Sequence, residues 1–180
     1  LLSPEQDTDR QGKLKLQSGK HIPVSKRIIQ CMTMKSKTGE IGFALRKIAT
    51  EQFAAIEDGF NEQGEIGFNV SLRFSAEEKQ RFVAVFALFT FTSDDKPFLV
   101  AEASCHFQIK DSAWKQMIRP ETNELVVPKV FLSHLSMLTI GTCRGILHSK
   151  TEGTCFNKYL IPTINVTEII KKDASFNLGR

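Results

Sequence analysis

The segment from Glu65 to Ser75 alternates between apolar and polar residues, and this alternation limits the folds that the chain can adopt. A period of two residues is typical of a β-strand with one buried face, because successive side chains of a strand point to opposite sides of the sheet. The pattern therefore predicts a half-buried antiparallel strand. Its inward side chains are those of Ile66, Phe68, Val70, Leu72 and Phe74.

Three neighbouring segments extend this strand into a predicted four-stranded sheet. Phe82 to Thr92 and Phe98 to Ile109 follow it after short polar turns, which is typical of a meander of antiparallel strands. A fourth strand, Phe43 to Ile56, precedes them, and its alternation shifts phase at Arg46–Lys47. A shift by one residue is what a β-bulge produces, so we expect a bulge there.

The strand at 82–92 is apolar on both faces, and this predicts cover on both sides of the sheet. We expect helices on one side and another subunit on the other. Small residues in the helix that follows would allow a second helix or sheet to approach closely. The residues predicted to form the oligomer interface are Phe82, Phe86, Leu88, Ser136, Gly141 and Gly145.

The hydrophobic period changes after the strand that ends at Ile109. A short helix is predicted from Asp111 or Ser112 to the residue before Pro120. Pro128 suits the first position of a long helix that continues to about His148. A loop joins these two helices, and a last short helix is predicted at 166–172, followed by a polar tail. The fold class is therefore α+β: a four-stranded antiparallel sheet packed by a long helix and a short C-terminal helix.

The positive charge of the chain lies at its front. The sequence has 24 Lys and Arg against 20 Asp and Glu, a net charge of +4. Residues 1–47 hold ten basic and four acidic side chains, whereas residues 48–180 hold fourteen and sixteen, so the segments carry +6 and −2. A basic arm can contact nucleic acid. No nucleic-acid-binding motif accompanies it, so we interpret residues 1–40 as a solvated extension and residues 41–180 as one domain.

The sequence contains no motif typical of catalysis, phosphate-loop binding or zinc ligation. Adjacent strand residues point to opposite faces, so Cys105 and His106 cannot chelate a metal together. We interpret the cysteines as reduced thiols because none are paired by close spacing: Cys31, Cys105, Cys143 and Cys155. We expect a cytoplasmic protein that is not an enzyme, with no metal, no cofactor and no membrane span.

Two apolar segments lie outside the predicted helices and strands. Phe60 stands in a Gly-rich loop, and Tyr159 to Pro162 form an extended stretch before the last helix. Exposed apolar side chains mark partner sites in many proteins. The alternative is that each segment is a loop anchor packed into the core, and the pattern leaves both interpretations open.

The order of these elements and the residues within them resemble the SecB family of protein-export chaperones, in particular its divergent SecB-like members. Residues 43–50 are similar to the family's first strand, and Phe98–Glu102 with Phe107–Ile109 are similar to its last. The helix from Pro128 to Arg144-Gly145 resembles its main helix. The stretch L-I-P-T-I-N at 160–165 resembles its segment before the second helix.

The resemblance implies an ATP-independent holdase that assembles as a dimer of dimers and binds non-native polypeptides in apolar grooves. In the family these grooves lie between the connection of the first two strands, the sheet and the second helix. The matching positions, implied to bind client, are Phe53, Ile56, Phe60, Phe68, Tyr159, Leu160, Ile161 and Ile164.

The chain departs from the family in three places. Its first connection is shorter and poorer in aromatic residues, residues 149–157 are an insertion, and the front forty residues have no counterpart. The partner implied by the family is the SecA export motor, or an antitoxin in the case of some SecB-like proteins. Two other functions stay open: a dedicated chaperone of a single partner, and a small-ligand-binding or enzymatic α+β protein.

Overall fold

The computed structural model of the protein describes residues 32–36 and 39–178. Most of the predicted extension at 1–40, including Cys31, lies outside the described residues. The described part of that extension, residues 32–36 and 39–40, lies in two strands of the main sheet.

The main sheet has five antiparallel strands in the spatial order β1-β2-β5-β4-β3. Strands β3, β4 and β5 form the predicted meander, and β2 pairs with β5 rather than with the strand that follows it. The strands are β1 Met32–Ser36, β2 Gly39–Ala55, β3 Ile66–Glu77, β4 Phe82–Ser93 and β5 Lys96–Ile109.

The predicted count of four strands is wrong. Strand β1 pairs with the start of β2, with Met32 opposite Phe43, and adds a fifth strand. A second sheet of three short strands contains β6 Ile118–Arg119, β7 Glu124–Val127 and β8 Ala174–Asn177, in that spatial order. The sequence had predicted the end of the short helix at β6, a loop at β7 and a polar tail at β8. Strands of two to five residues are too short to show a period, and β7 pairs with β8 across a wide gap in the sequence.

The helices confirm the α+β class. They are α1 Asp111–Met117, α2 Lys129–Thr151 and α3 Val166–Ile169, with single 3-10 turns at Glu57–Gly59 and Cys155–Lys158. Helix α2 continues three residues beyond the predicted end, whereas α3 ends three residues before it.

The core lies between α2 and the inner face of β4 and β5. The thiol of Cys143 on α2 is 3.9 Å from the carbonyl oxygen of Ala87 and 3.8 Å from that of Ala101. The inner face is formed by odd-numbered residues in β4 and β5 and by even-numbered residues in β3, as the alternation predicted. The inward residues of β4 are Val83, Val85, Ala87, Phe89 and Phe91, and all are buried.

The outer face of the main sheet has no helix on it among the described residues. Phe82, Phe86 and Leu88 of β4 are half-buried there. Side chains from the same chain cover part of this face: the guanidinium of Arg73 lies 4.8 Å from the ring centre of Phe86, and His106 packs edge-on against Phe82 and Phe86. Cover by another subunit therefore stays a prediction.

Strand β2 contains the predicted β-bulge. Its register with β5 shifts between Leu45 and Lys47, so that Arg46 has no partner residue opposite it. A second shift occurs between Thr50 and Gln52. Each bulge bends the strand and changes the face to which the next side chains point.

Helix α2 is long and apolar enough to cross a membrane by length and composition, and it is the one such helix in the part of the chain that the structure describes. Half of its most apolar window is buried inside the protein. A core helix on a sheet has the same length and composition, so this observation favours neither setting.

We predict that Arg81→Gly stabilises the fold. Arg81 has a φ angle of 54°, in the left-handed region where a side chain costs about 1–2 kcal/mol. Glycine removes that cost and loses about 0.5–1 kcal/mol of entropy on folding instead. We expect the free energy of unfolding in urea to rise by about 0.5 kcal/mol, the difference between these terms.

The matched control is Lys79→Gly in the same turn. Lys79 is not among the residues with a positive φ angle, so glycine there should lower the free energy of unfolding. A less stable Arg81→Gly protein would contradict the prediction.

Candidate functional site

Five aromatic side chains meet at one end of the main sheet. Phe98 is fully buried at their centre, with ring centroids 4.8 Å from Phe60, 4.9 Å from Tyr159 and 5.8 Å from Phe156. Phe91 lies 6.3 Å from Phe98. The register of β4 with β5 passes from Leu99 to Pro97 and omits Phe98, so a third register shift of the main sheet accompanies the cluster. We call these residues the aromatic cluster.

The cluster joins the loop after β2 to the segment before α3. Phe60 comes from the first and Tyr159 from the second, and both are half-buried. The ammonium of Lys158 lies 6.0 Å from the Phe60 ring and 5.4 Å from the Tyr159 ring, and it donates to Glu62. This hydrogen bond lowers the pKa of Glu62 and raises that of Lys158. Both groups are exposed, so the pair fastens the loop only weakly.

Exposed apolar side chains flank the cluster. Leu160 follows Tyr159 and is 65% exposed. Ile56 is 42% exposed, and its backbone N–H donates to the carbonyl of Phe98 at 2.7 Å. Aromatic rings that pack on each other therefore underlie a surface that presents aliphatic side chains to solvent.

The inner side chains of β3 continue this surface along the edge of the sheet. Phe68 lies 5.0 Å from Phe91 and so adjoins the aromatic cluster. β3 ends the sheet on its side, and within the described residues no strand pairs with its outer edge. The apolar band, as we call it, consists of half-buried residues at every second position: Phe68, Val70, Leu72 and Phe74.

A groove of about 620 Å³ lies at the far end of the apolar band. Leu72 and Phe74 form one wall, Leu132 of α2 contributes to its lining, and the segment 169–175 after α3 forms the other wall. Ile169 is 42% exposed. Lys171 and Lys172 give this wall two positive charges and Asp173 gives it one negative charge, so its net charge is positive. The groove therefore combines apolar side chains with a polar, net basic wall.

The structure brings together some of the residues predicted to bind client. Phe60 and Tyr159 belong to the aromatic cluster, Phe68 adjoins it, and Leu160 is exposed beside it. Ile164 is half-buried, and Phe53 is half-buried on β2 opposite Ala101.

Ile161 lies apart from this surface. It is 4% exposed and packs in the core, so its side chain acts as an anchor. Its carbonyl accepts a hydrogen bond of 3.0 Å from Arg144 Nε.

Sequence reasoning missed the groove residues. Leu72 and Phe74 were identified as inward strand residues, but their position at an uncovered edge depends on the strand order. Ile169 and Ile170 were placed in a helix that continued to Lys172, whereas the chain leaves the helix after Ile169 and turns toward β3. No local pattern marks either feature.

The residues predicted to form an oligomer interface fall in different places. Phe82, Phe86 and Leu88 lie on the outer sheet face. Ser136 is fully buried and donates to the carbonyl of Leu132 at 2.8 Å, so it cannot contact a second subunit from the surface. Gly141 and Gly145 are exposed, and a Cβ atom added to either would meet nothing within 4 Å.

Ser104, His106 and Glu51 come close together on the outer sheet face. Ser104 Oγ donates to Glu51 Oε1 at 2.5 Å and lies 3.2 Å from His106 Nε2. A catalytic triad has the carboxylate on the other nitrogen of the histidine, and the serine must reach substrate. Here both contacts converge on the hydroxyl, and Ser104 is fully buried. The arrangement is that of a structural hydrogen-bond group.

The described cysteines are consistent with buried or free thiols. Cys105, Cys143 and Cys155 form no disulfide, and Cys155 is exposed. Burial raises the pKa of the Cys143 thiol to about 12, so it stays protonated near neutral pH. No group of three His, Cys, Asp or Glu side chains within residues 32–36 and 39–178 could hold a metal ion.

No known protein family matches the chain, and no curated protein matches it either. The SecB-like resemblance therefore stays an expectation from the sequence. The function is inferred from the apolar band, the groove and the aromatic cluster.

We predict that two charged neighbours move the pKa of His106 in opposite directions. Burial lowers this pKa first and Lys47 lowers it further, whereas Glu51 raises it. Lys47→Gln should raise the midpoint in an NMR titration of the imidazole, and Glu51→Gln should lower it. The prediction would be contradicted if both variants moved the His106 midpoint in the same direction, or if each moved it opposite to the direction expected.

The same pKa shift has a consequence for stability. A histidine whose folded pKa is lowered binds fewer protons in the folded state. Its contribution to stability is present above the unfolded pKa, near 6.5, and is lost as the pH falls through the folded pKa.

Proposed function

We propose that the protein is a SecB-like, ATP-independent holdase that binds extended, non-native polypeptides along the apolar band and in the groove. The observation that carries this proposal is the row of half-buried apolar side chains on β3. It runs from the aromatic cluster at Phe68 to the groove at Phe74 without an interruption by a polar side chain.

The dimensions of the band suit an extended client. Phe68 and Phe74 are six residues apart on one strand, which corresponds to about 20 Å at about 3.3 Å per residue. A client strand of about seven residues would span this length. The free edge of β3 offers backbone N–H and C=O groups to such a strand. The client side chains that point to the inner face of the sheet would then enter the groove.

The chemistry of the band favours many clients over one. Burial of apolar surface contributes about 25 cal/mol per Å² and does not depend on a particular side-chain order. Backbone hydrogen bonds are equally independent of sequence. Specific polar contacts, which select one partner, are few along the band and concentrate at the groove wall, at Lys171, Lys172 and Asp173.

We predict that Leu160→Ser combined with Ile169→Ser weakens client binding. Both side chains are exposed, so their loss should leave the fold intact. Burial of one Leu or Ile side chain is worth about 1.5–3 kcal/mol, and partial burial of two should change affinity about tenfold. The measurement is light scattering of a refolding client, without ATP, over a range of chaperone ratios.

The matched control is Ile48→Ser. Ile48 is 51% exposed on β2, away from the band, and its replacement should leave activity unchanged. Wild-type protein that fails to suppress aggregation at every ratio would contradict the holdase proposal. Recovery of one dominant partner on purification, rather than many, would favour the dedicated chaperone instead.

We further propose that the chain forms a homo-oligomer through the exposed side of α2 and the outer sheet face. Gly141→Leu tests the helix contact. Open space at this position means that the monomer accepts the side chain, and loss of a helical glycine should stabilise it by about 1 kcal/mol. A close helix contact would be blocked, so the mass measured by light scattering should fall.

The control for this experiment is Ser149→Leu, at an exposed position near the end of α2. It adds the same side chain outside the predicted interface and should leave the mass unchanged. An unchanged mass for Gly141→Leu, or a wild-type monomer, would contradict the helix contact.

A further inference from the structure

A depression of about 270 Å³ lies at the other end of the sheet from the aromatic cluster. The start of β2, the turn before β4, the end of β5 and the first residue of α1 meet there. Its floor is apolar, formed by Phe43, Ala44 and Ile109, and its sides carry three cationic residues: Arg46, Arg81 and Lys110. None of these residues belongs to the proposed client surface.

A bulge places the first cation. Arg46 is the residue that β2 gains at its register shift, between Leu45 and Lys47. Its Nε donates to Gln108 Oε1 at 2.9 Å, and this bond orients the guanidinium at the end of β5. Bulges commonly aim a side chain in this way at sheet ends.

A strained turn places the second cation. Arg81 has a φ angle of 54°, and its backbone is held by hydrogen bonds from Arg81 N to Glu78 O and from Ile109 N to Arg81 O. Its Nε is buried, with no hydrogen-bond partner among the described residues. A buried N–H without an acceptor is costly. The rest of the side chain is accessible, since it is 40% exposed.

The third cation, Lys110, packs against a glycine. The aliphatic part of Lys110 lies so close to Gly42 that a Cβ atom there would be 2.4 Å from Lys110 Cδ. The backbone N–H of Lys110 donates to the carbonyl of Gly42 at 2.8 Å. The Lys110 side chain therefore packs along β2 at Gly42, and Lys110 is one of the residues that line the depression.

The positive charge is only partly neutralised. Asp111 is the one carboxylate that lines the depression within the described residues. Arg81 Nη1 lies 3.6 Å from Asp111 Oδ1, whereas Lys115 lies outside the lining and pairs with the same carboxylate at 2.9 Å. Three cations against one shared carboxylate leave an excess of about two charges.

We propose that this depression binds a phosphate group, either as free inorganic phosphate or carried on a small molecule. Two arginines supply planar donor pairs that match phosphate oxygens, and the lysine adds a point charge. The volume of about 270 Å³ leaves room for the group and bound water. The site is independent of the holdase proposal.

Calorimetric titration tests the site on the full chain. Inorganic phosphate and glycerol phosphate are titrated separately at low ionic strength, with chloride at matched ionic strength as the reference. We expect binding of at least one of the two, and their relative affinities tell free phosphate from a phosphate monoester. Arg81→Gln should weaken the affinity at least tenfold. Lys79→Gln removes the same charge from the same turn, outside the lining, and should change it less than twofold.

Arg81→Gly separates loss of the site from loss of the fold. This variant should keep or raise the melting temperature measured without phosphate, and lose the increase that phosphate gives to wild type. Absence of binding by both probes would overturn the proposal. An equal effect of Lys79→Gln and Arg81→Gln would overturn it as well, since it would show attraction by overall charge.

Discussion

The packing of one helix on one sheet face determines most of the surface of this protein. A helix with its side chains is about 10 Å wide, and strands are about 4.8 Å apart. Helix α2 can therefore cover about two strands, and it covers β4 and β5. The inner side chains of β3 and β2 extend beyond its width, which is why Phe68 to Phe74 are half-buried and Leu45 and Ile48 are exposed.

The parts of the fold that were predictable from the sequence are those with a long local period. Alternation over eleven residues located β3, and a phase shift located the bulge at Arg46. The strand order β2-β5-β4-β3 has no such signal, because pairing between distant segments leaves no local pattern. The three strands of the small sheet were missed for the same reason. Each has only two to four residues, too few to show an alternation, and each is stabilised by pairing with its neighbour.

The candidate site was predictable only where an unusual residue marked it. Phe60 and Tyr159 stand out as aromatic residues outside regular elements, and both belong to the aromatic cluster. Ile161 has the same sequence signal and is a core anchor, because orientation within an extended segment depends on packing. Leu72, Phe74 and Ile169 form the groove through the strand order and the early end of α3, neither of which the sequence reveals.

The pairing of β7 with β8 also sets an order of assembly. These strands lie almost fifty residues apart, and α2 and α3 lie between them. Folding of α2 shortens the chain between β7 and β8 and so lowers the entropy cost of closing this loop. We therefore expect β8 to pair after α2 has packed on the sheet. The wall at 169–175 includes Ala174 and Ser175, the first two residues of β8. The groove is thus expected to form after the sheet and the helix.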